Sequence, residues 1–343
     1  MSAIKLLNFD QALAHSEKVS TRHLLLGNGF SIACRPNIFV YGKLFERANF
    51  TKLSPAAHKA FGALGTEDFE KVIKALRDSA RLVLLYKGVD LSTASAMAKD
   101  ADDLKQVLVQ TIADSHPARP GDILESEYAC CRAFLAHFKT IYTMNYDLLL
   151  YWVQMHTEEM KSPESDDGFR KSEDDLDAGY VVWEPGQSHD QNMWFLHGAL
   201  HVFDTGTEVQ KYTWVNTGIP LIDQIRDALS RGYFPLFVAE GTSAEKLARI
   251  RHSDYLAKAY RSFTEIGGAL FVLGHSLATN DEHYLKRIER GKVRYLYVGL
   301  HGSPTTTSNQ AIISRASAMA SVRSAGRPLD VLFYDSATAH VWG

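Results

Sequence analysis

The sequence predicts an α/β fold in which a parallel sheet is covered by helices on both faces. Short apolar runs that end in glycine or polar residues alternate with longer segments whose apolar residues recur at helical spacing. Strands that alternate with helices are typical of parallel sheets, whose strands are buried on both faces. The chain has 343 residues, 45% of them hydrophobic, which is enough to bury a full core.

The first elements are a helix and a strand. Asn8 can cap a short helix that ends near residue 18, because asparagine is a favoured N-cap residue. Residues 23–26 then form a brief apolar run that stops at Gly27-Asn28-Gly29. This pattern predicts a buried strand that ends in a tight turn.

The segment 54–138 contains helical patterns and no strand pattern of comparable quality. Residues 66–69 predict an N-cap with acids in the first turn, followed by apolar residues at helical spacing. Further helices are predicted at about 104–112 and at 123–138. We therefore predict a single domain, 1–343, with a helical insertion at about 54–138.

The rest of the chain completes the predicted sheet. Strands are predicted at 140–143, 180–183, 193–196, 212–215, 235–239, 269–273, 294–298 and 330–334. Helices are predicted at 148–160, 222–229, 243–263, 281–290 and 311–323. Between residues 158 and 177 there are nine acids and three bases, which predict a solvated loop.

Charge, cysteines and hydropathy disfavour several classes of protein. The net charge of −3 gives no broad positive field, so autonomous nucleic-acid binding is not expected. The 3 cysteines, Cys34, Cys130 and Cys131, form no CxxC pair, which excludes a disulfide framework and a four-cysteine zinc site. The N-terminus does not read as a signal peptide, and apolar stretches such as 269–273 are too short for a membrane span. We expect a cytoplasmic protein.

Four polar clusters follow directly after predicted strands. They are GNGFS at 27–31, TMNYD at 143–147, HG at 197–198 and GHSL at 274–277. In an open α/β sheet, ligands bind outside the carboxyl ends of the strands. The four clusters could therefore converge on one crevice.

Each cluster also has a purely structural interpretation. The glycine cluster lacks the third glycine of a dinucleotide fingerprint, because Ile32 stands in its place, so it could be an ordinary strand-to-helix turn. Asn145 could orient a water or a sugar hydroxyl, and Asp147 could bind a ribose or simply cap the next helix. His197 is either a core histidine or a catalyst; His189 and His201 lie near it at spacings that fit no familiar metal site.

Together the four clusters resemble the sirtuin-like NAD-consuming superfamily, in the same order along the chain. That superfamily has a Gly-Ala-Gly-x-Ser loop that binds the pyrophosphate, then Thr-Gln-Asn-x-Asp, His-Gly and Gly-x-Ser-Leu segments. LLLGNGFSIA, YTMNYDLLLYW and FLHGALHVF are similar to a bacterial branch of sirtuin-like proteins, relatives of which act as NAD hydrolases in anti-phage defence. The resemblance covers residues 24–334 and implies a Rossmann-like fold.

The resemblance also implies roles for individual residues. Asn145 would position the ribose and the attacking water, Asp147 would hold ribose hydroxyls, and His197 would act as general base or hydroxyl anchor. NAD would be the substrate, without a metal. The residues implied in NAD binding are Gly27, Asn28, Gly29, Phe30, Ser31, Thr143, Gly274 and Ser276.

Departures from the superfamily favour water as the acceptor. The zinc module of the deacylases needs two CxxC pairs, which this chain lacks, and Met144 stands where the deacylases have glutamine. We therefore expect an NAD glycohydrolase that releases nicotinamide and ADP-ribose, as a regulated, oligomeric effector of anti-phage defence with a sensor, ATPase or nuclease partner. The alternatives are a non-catalytic NAD or ADP-ribose sensor and, less favoured, an ADP-ribosyltransferase or deacylase.

Overall fold

The fold is known from a computed structural model, which describes residues 5–86, 90–156, 165–173, 175–187, 190–213, 217–238, 242–324 and 326–343. Its strands are β1 (Leu6–Leu7), β2 (Arg22–Leu26), β3 (Thr140–Thr143), β4 (Phe169–Lys171), β5 (Tyr180–Trp183), β6 (Met193–Phe195), β7 (Val202–Asp204), β8 (Val209–Tyr212), β9 (Gly267–Leu273), β10 (Lys292–Leu300) and β11 (Asp330–Asp335).

The helices flank these strands along the whole chain. They are α1 (Phe9–Ser16), α2 (Gly29–Cys34), α3 (Pro36–Phe39), α4 (Tyr41–Arg47), α5 (Pro55–Leu64), α6 (Phe69–Leu82), α7 (Leu91–Ser115), α8 (Glu125–Leu135), α9 (Leu149–Met155), α10 (Leu221–Ser230), α11 (Ser243–His252), α12 (Asp254–Glu265), α13 (Glu282–Arg290) and α14 (Thr307–Ser321).

A seven-stranded parallel sheet forms the centre of the molecule, which confirms the predicted α/β fold. Its strand order is β1-β11-β10-β9-β2-β3-β6, and every pair of neighbours is parallel. From β2 the chain moves through β3 to β6 on one side, whereas β9, β10 and β11 extend the sheet on the other. The strand order therefore reverses between β2 and β9, and such a switch point is where open α/β sheets bind ligands.

Local sequence explains the first elements and the helical segment. Asn8 forms a capping box with Gln11 at the start of α1, as its N-cap position predicts. Asp68 caps α6, one residue before the apolar face of that helix begins at Phe69. Between β2 and β3, within residues 27–86 and 90–139, the described chain forms helices and no strand. No described helix is long and apolar enough to cross a membrane.

A second sheet, antiparallel with strand order β4-β5-β8-β7, corrects the prediction of a solvated loop at 158–177. Residues 157–164 and 174 lie outside the described residues, but β4 lies within this acidic segment. Asp167 is buried there and forms an ion pair with buried Lys211 of β8. The pairing offsets the cost of burying a carboxylate, so the acidic composition does not keep the segment in solvent.

Three other predicted elements are wrong in extent. The predicted strand 212–215 is instead β8, which ends at Tyr212, and residues 214–216 lie outside the described residues. The predicted strand 235–239 is a single bridge between Phe237 and Gly198, with residue 239 outside the described residues. The predicted helix 243–263 is two helices, α11 and α12, because the backbone of Ser253 is extended. This break lets the Tyr255 hydroxyl accept a hydrogen bond from the backbone amide of Phe195.

Candidate functional site

The four polar clusters lie at the carboxyl ends of four neighbouring strands, β9, β2, β3 and β6. The first and last clusters meet at the switch point between β2 and β9. The backbone amide of Gly27 donates to the carbonyl of Leu273, and the amide of Gly29 donates to the carbonyl of Gly274, both at 2.9 Å. The first and the fourth clusters are therefore in direct backbone contact with each other.

Glycine is required at this meeting point because two backbone turns touch. A Cβ atom at Gly29 would lie 2.5 Å from the Cα of Gly274. Gly274 also has a φ of +69°, which a residue with a side chain rarely adopts. In this structure the glycines therefore permit the close approach of two segments of the protein itself.

Asn145 connects the glycine turn to the next strand. Its Nδ2 donates to the carbonyl of Gly27 at 3.1 Å and to Oγ of Ser31 at 2.9 Å. The Ser31 hydroxyl in turn donates to Oδ2 of Asp147 at 2.5 Å. The amide, hydroxyl and carboxylate therefore form one buried hydrogen-bonded group, which we call the Asn145 group (Ser31, Asn145 and Asp147).

Asp147 has a structural role as well as a place in this group. Its Oδ1 accepts the backbone amide of Leu149, the first residue of α9, at 2.9 Å, although the N-cap position itself is occupied by Leu148. Burial raises the pKa of Asp147, and the hydrogen bonds from Ser31 and Leu149 partly counteract this rise.

His197 follows β6, the strand next to β3 in the sheet. Its ring stacks with Tyr146, the neighbour of Asn145, at a centroid distance of 6.3 Å. Burial lowers the pKa of His197 well below its usual range, with the Asp281 carboxylate opposing this effect, so the ring is neutral near pH 7. Its Nε2 has no hydrogen-bond partner among the residues that the structure describes. The space beside Gly198 is filled, since a Cβ atom there would lie 1.9 Å from the carbonyl oxygen of Leu236.

Asp281 is a site residue that the sequence analysis missed. Its Oδ1 lies 3.1 Å from Nζ of Lys246 and 3.6 Å from Nε2 of His197, and its Oδ2 lies 3.2 Å from Nε2 of His275. Burial opposes ionisation of Asp281, but the hydrogen bond from His275 and the neighbouring positive charge hold its pKa well below its usual range. We call these residues the Asp281 cluster (His197, Lys246, His275 and Asp281).

The sequence indicates some residues of the Asp281 cluster but not others. His275 belongs to the GHSL segment and Asp281 follows it closely, so both could have been added as candidates from their position after β9. Lys246 lies in α11 and reaches Glu70 of α6 at 3.6 Å. Nothing in the sequence near Lys246 or Glu70 indicates that they lie beside His197.

The donor atoms of His197, Asp281 and His283 lie within 4.8 Å of one another, a set that a transition metal could use. Lys246, however, places its ammonium group 3.1 Å from the same Asp281 oxygen that faces His197. A metal ion there would bring a second cation to one carboxylate oxygen. The residues therefore fit a lysine–carboxylate pair better than a metal centre.

The other predicted binding residues have mainly structural contacts. The Phe30 side chain is in the core, and its carbonyl accepts the indole N–H of Trp342 at 2.9 Å. Asn28 donates to the carbonyl of Phe39, and Oγ1 of Thr143 accepts the backbone amide of Asn145. Ser276 is exposed. Of the predicted side chains, Ser31, Asn145 and Asp147 are therefore hydrogen-bonded to one another, whereas His197 contacts Tyr146 and faces Asp281.

A surface cavity of about 360 Å³ lies away from these residues. It is lined by Trp183, Trp194 and the polar face of α12, including Lys258 and Arg261. None of its lining residues belongs to the four clusters or to the Asp281 cluster. The side chains of the Asn145 group and of the Asp281 cluster are, by contrast, all buried.

Comparison with known proteins gives one family. A family described as a domain of unknown function (DUF4917) matches residues 24–342. No curated protein matches the chain.

Proposed function

This chain belongs to the family described as a domain of unknown function (DUF4917), and we propose that it hydrolyses NAD to nicotinamide and ADP-ribose. The observation that carries the proposal is the Asn145 group, held against the glycine turn at the switch point, while the ring of His197 contacts Tyr146, which lies between Asn145 and Asp147 in the sequence. Asn145, Asp147 and His197 are the side chains to which the sirtuin-like resemblance assigns the chemistry. The switch point is also where a nucleotide would enter a sheet of this order.

The proposed reaction breaks the bond between C1′ of the ribose and N1 of nicotinamide. The electron pair of that bond neutralises the pyridinium charge, and nicotinamide leaves as a neutral molecule. Water attacks C1′ and loses one proton, which is passed to solvent through His197. The neutral imidazole suits this role because a protonated ring could not accept a proton.

Asn145 and Asp147 would act on the ribose during this step. Positive charge develops on the ribose as the glycosidic bond breaks, and fixed dipoles and a carboxylate nearby stabilise it. Both residues lie among buried neighbours, where such interactions are stronger than in water. For a substrate to enter, the hydrogen bonds within the Asn145 group would have to be exchanged for bonds to the ribose.

This closed arrangement agrees with the expectation of a regulated enzyme. Ser31, Asn145 and Asp147 already satisfy one another, so the site as described is at rest. We propose a trigger, such as oligomerisation or binding of a sensor, ATPase or nuclease partner, that opens the site. The role in anti-phage defence is part of this proposal and depends on the sirtuin-like resemblance alone.

Nicotinamide release from NAD tests the proposal directly. We expect turnover by the purified protein over a concentration series, and a loss of about 100-fold or more in Asn145→Ala and His197→Gln. His23→Gln is the matched control, because His23 is a buried histidine at the opposite end of β2 from the glycine turn. No release by folded protein at any concentration, or equal loss in the control, contradicts the proposal.

A second candidate is an NAD or ADP-ribose sensor without catalysis, and it is favoured by the burial of His197, which lowers the pKa of that residue well below its usual range. A module that only binds needs no general base, although its Asn145 group would still have to open for a ribose to enter. Titration calorimetry followed by analysis of the recovered nucleotide separates the two candidates. Tight binding with recovery of intact NAD favours the sensor, whereas recovery of free nicotinamide from the calorimeter favours the enzyme.

A further inference from the structure

The carboxylate of Asp281 is shared by three side chains that come from separate parts of the fold. Lys246 approaches from α11, His275 from the turn after β9 and His197 from the turn after β6. We infer that Asp281 is the positioning residue of His197: it fixes the imidazole proton on Nε2 and so leaves Nδ1 as the atom that accepts a proton. The role of Nδ1 as proton acceptor rests on the proposed function, whereas the position of the proton on Nε2 does not.

The hydrogen bonds of His275 fix one side of Asp281. The backbone amide of Leu277 donates to Nδ1 of His275 at 3.1 Å, so Nδ1 carries a lone pair and the proton is on Nε2. That Nε2–H donates to Oδ2 of Asp281 at 3.2 Å. Leu277 has a φ of +53°, in the left-handed region that a leucine rarely adopts, and this conformation belongs to the turn that brings its amide to His275.

The other oxygen of Asp281 faces His197. Lys246 donates to Oδ1 at 3.1 Å, and Nε2 of His197 lies 3.6 Å from the same atom. If Nε2 were not protonated, its lone pair would face the negatively charged Oδ1 of Asp281 in a buried space, and the two would repel each other. With the proton on Nε2 the same approach is attractive, and a shift of a few tenths of an ångström completes a hydrogen bond. The geometry therefore selects the Nε2–H tautomer.

The charges around His197 act in opposite directions on the protonation of its ring. Lys246 carries one positive charge, whereas Asp281 and Glu70 carry two negative charges, with Glu70 3.6 Å from the Lys246 ammonium. The histidine stacked on His197 is His283, whose pKa is lowered to about 4 by burial, so it adds no charge near pH 7. The Asp281 carboxylate therefore stabilises an imidazolium that forms transiently, whereas burial and the Lys246 ammonium oppose it.

In the proposed hydrolysis the proton of the attacking water would pass to Nδ1 of His197. Nε2 would keep its proton and continue to face Oδ1 of Asp281, and the carboxylate would stabilise the added charge without taking the proton. The proton then leaves Nδ1 for solvent, so the ring returns to its starting tautomer. This division of roles is the one that a carboxylate–histidine pair uses in nucleophile activation generally.

Nitrogen NMR of the histidine rings in the folded, ligand-free protein tests the inference. The His197 signals are assigned by their loss in His197→Gln, and we expect the Nε2–H tautomer at neutral pH. In Asp281→Ala we expect this preference to be lost. Asp100→Ala is the control. Asp100 lies in α7, is as buried as Asp281 and accepts a hydrogen bond from Ser54, so it is a buried carboxylate outside the Asp281 cluster. A predominant Nδ1–H tautomer, or an unchanged tautomer in Asp281→Ala, overturns the inference.

Kinetics give a second and separable readout. If the protein releases nicotinamide, Asp281→Ala should lower kcat about 100-fold or more and change KM little. Asp281→Asn keeps the side-chain shape and provides the same test if the alanine variant does not fold. Nicotinamide release by a protein in which His197 has the Nδ1–H tautomer would refute the inference about Asp281 and leave the proposed function standing. The Nε2–H tautomer without any release refutes the proposed function and leaves the positioning of His197 by Asp281 standing.

Discussion

Replacing Gly274 by alanine tests whether the two glycine turns at the switch point depend on close backbone contact. Gly274 has a φ of +69°, and a Cβ atom there would lie 2.5 Å from the Cα of Gly29. Gly302 offers a matched control. Its φ is +72°, but nothing lies within 4 Å of the position of its Cβ.

The two variants separate backbone strain from steric overlap. Forcing alanine into the left-handed region costs about 1–2 kcal/mol in either variant. Overlap with Gly29 adds about 1–3 kcal/mol in Gly274→Ala, because the atoms in contact belong to the backbone and cannot rotate away. We therefore expect a loss of about 2–5 kcal/mol for Gly274→Ala and of about 1–2 kcal/mol for Gly302→Ala.

Urea denaturation followed by circular dichroism measures both losses. The comparison requires equal m-values, since a change in slope would mean a change in the unfolded state or a loss of two-state behaviour. Equal losses of unfolding free energy in the two variants would refute the argument, because they would mean that the turns do not touch as described. A larger loss in Gly302→Ala would refute it as well.

Three further predictions concern buried charges. Lys246→Met leaves Asp281 and Glu70 without their shared cation, so we expect a loss of about 3–5 kcal/mol in urea denaturation; a loss below about 1 kcal/mol would contradict the buried pairing. The pKa of Asp147 is raised in the folded state, so its ionised form lowers the free energy of unfolding once the pH exceeds its unfolded pKa. We therefore expect Asp147→Asn to have a free energy of unfolding at pH 7 at least as large as that of the parent chain. Any gain in the variant should vanish in acid, where Asp147 is protonated in both states. Burial lowers the pKa of three histidines to about 4, so their contribution to stability is complete above about pH 6.5 and is lost as the pH falls towards 4. A pH series of unfolding free energies tests this, with a flat profile as the contrary result. The three are His23, His116 and His283.

The parallel sheet could be predicted because its strands carry their own signal. Residues 140–143 are all β-branched or aromatic, as is typical of strands, and β3 has these bounds in the structure. The small antiparallel sheet carries this signal only in part, because residues 180–183 predict a strand and form β5, whereas β4 and β7 have no comparable pattern. Its strands are three or four residues long, and β4 contains the exposed Arg170 and Lys171. What orders this segment is the pairing of Asp167 with Lys211, a contact between residues far apart in the sequence.

The helix predicted at 243–263 shows a different limit. Apolar residues keep their helical spacing on both sides of Ser253, so the pattern runs through the break. The backbone of Ser253 is extended, and two residues later the Tyr255 hydroxyl accepts a hydrogen bond from the amide of Phe195 in a distant strand. Periodicity reports which residues are buried, whereas the direction of a chain after a bend is set by its tertiary partners.

The same distinction applies within the candidate site. Asn145, Asp147 and His197 could be selected from the sequence because each follows a strand. The carboxyl ends of parallel strands lie along the same edge of the sheet. Lys246 and Glu70 lie in helices α11 and α6, whose positions over the sheet depend on packing that the sequence pattern does not specify. Yet these two residues set the charge around Asp281, and Asp281 faces the one ring nitrogen of His197 that is buried without a hydrogen-bond partner among the described residues. A motif can therefore identify the histidine, but the state of its proton depends on residues outside every motif.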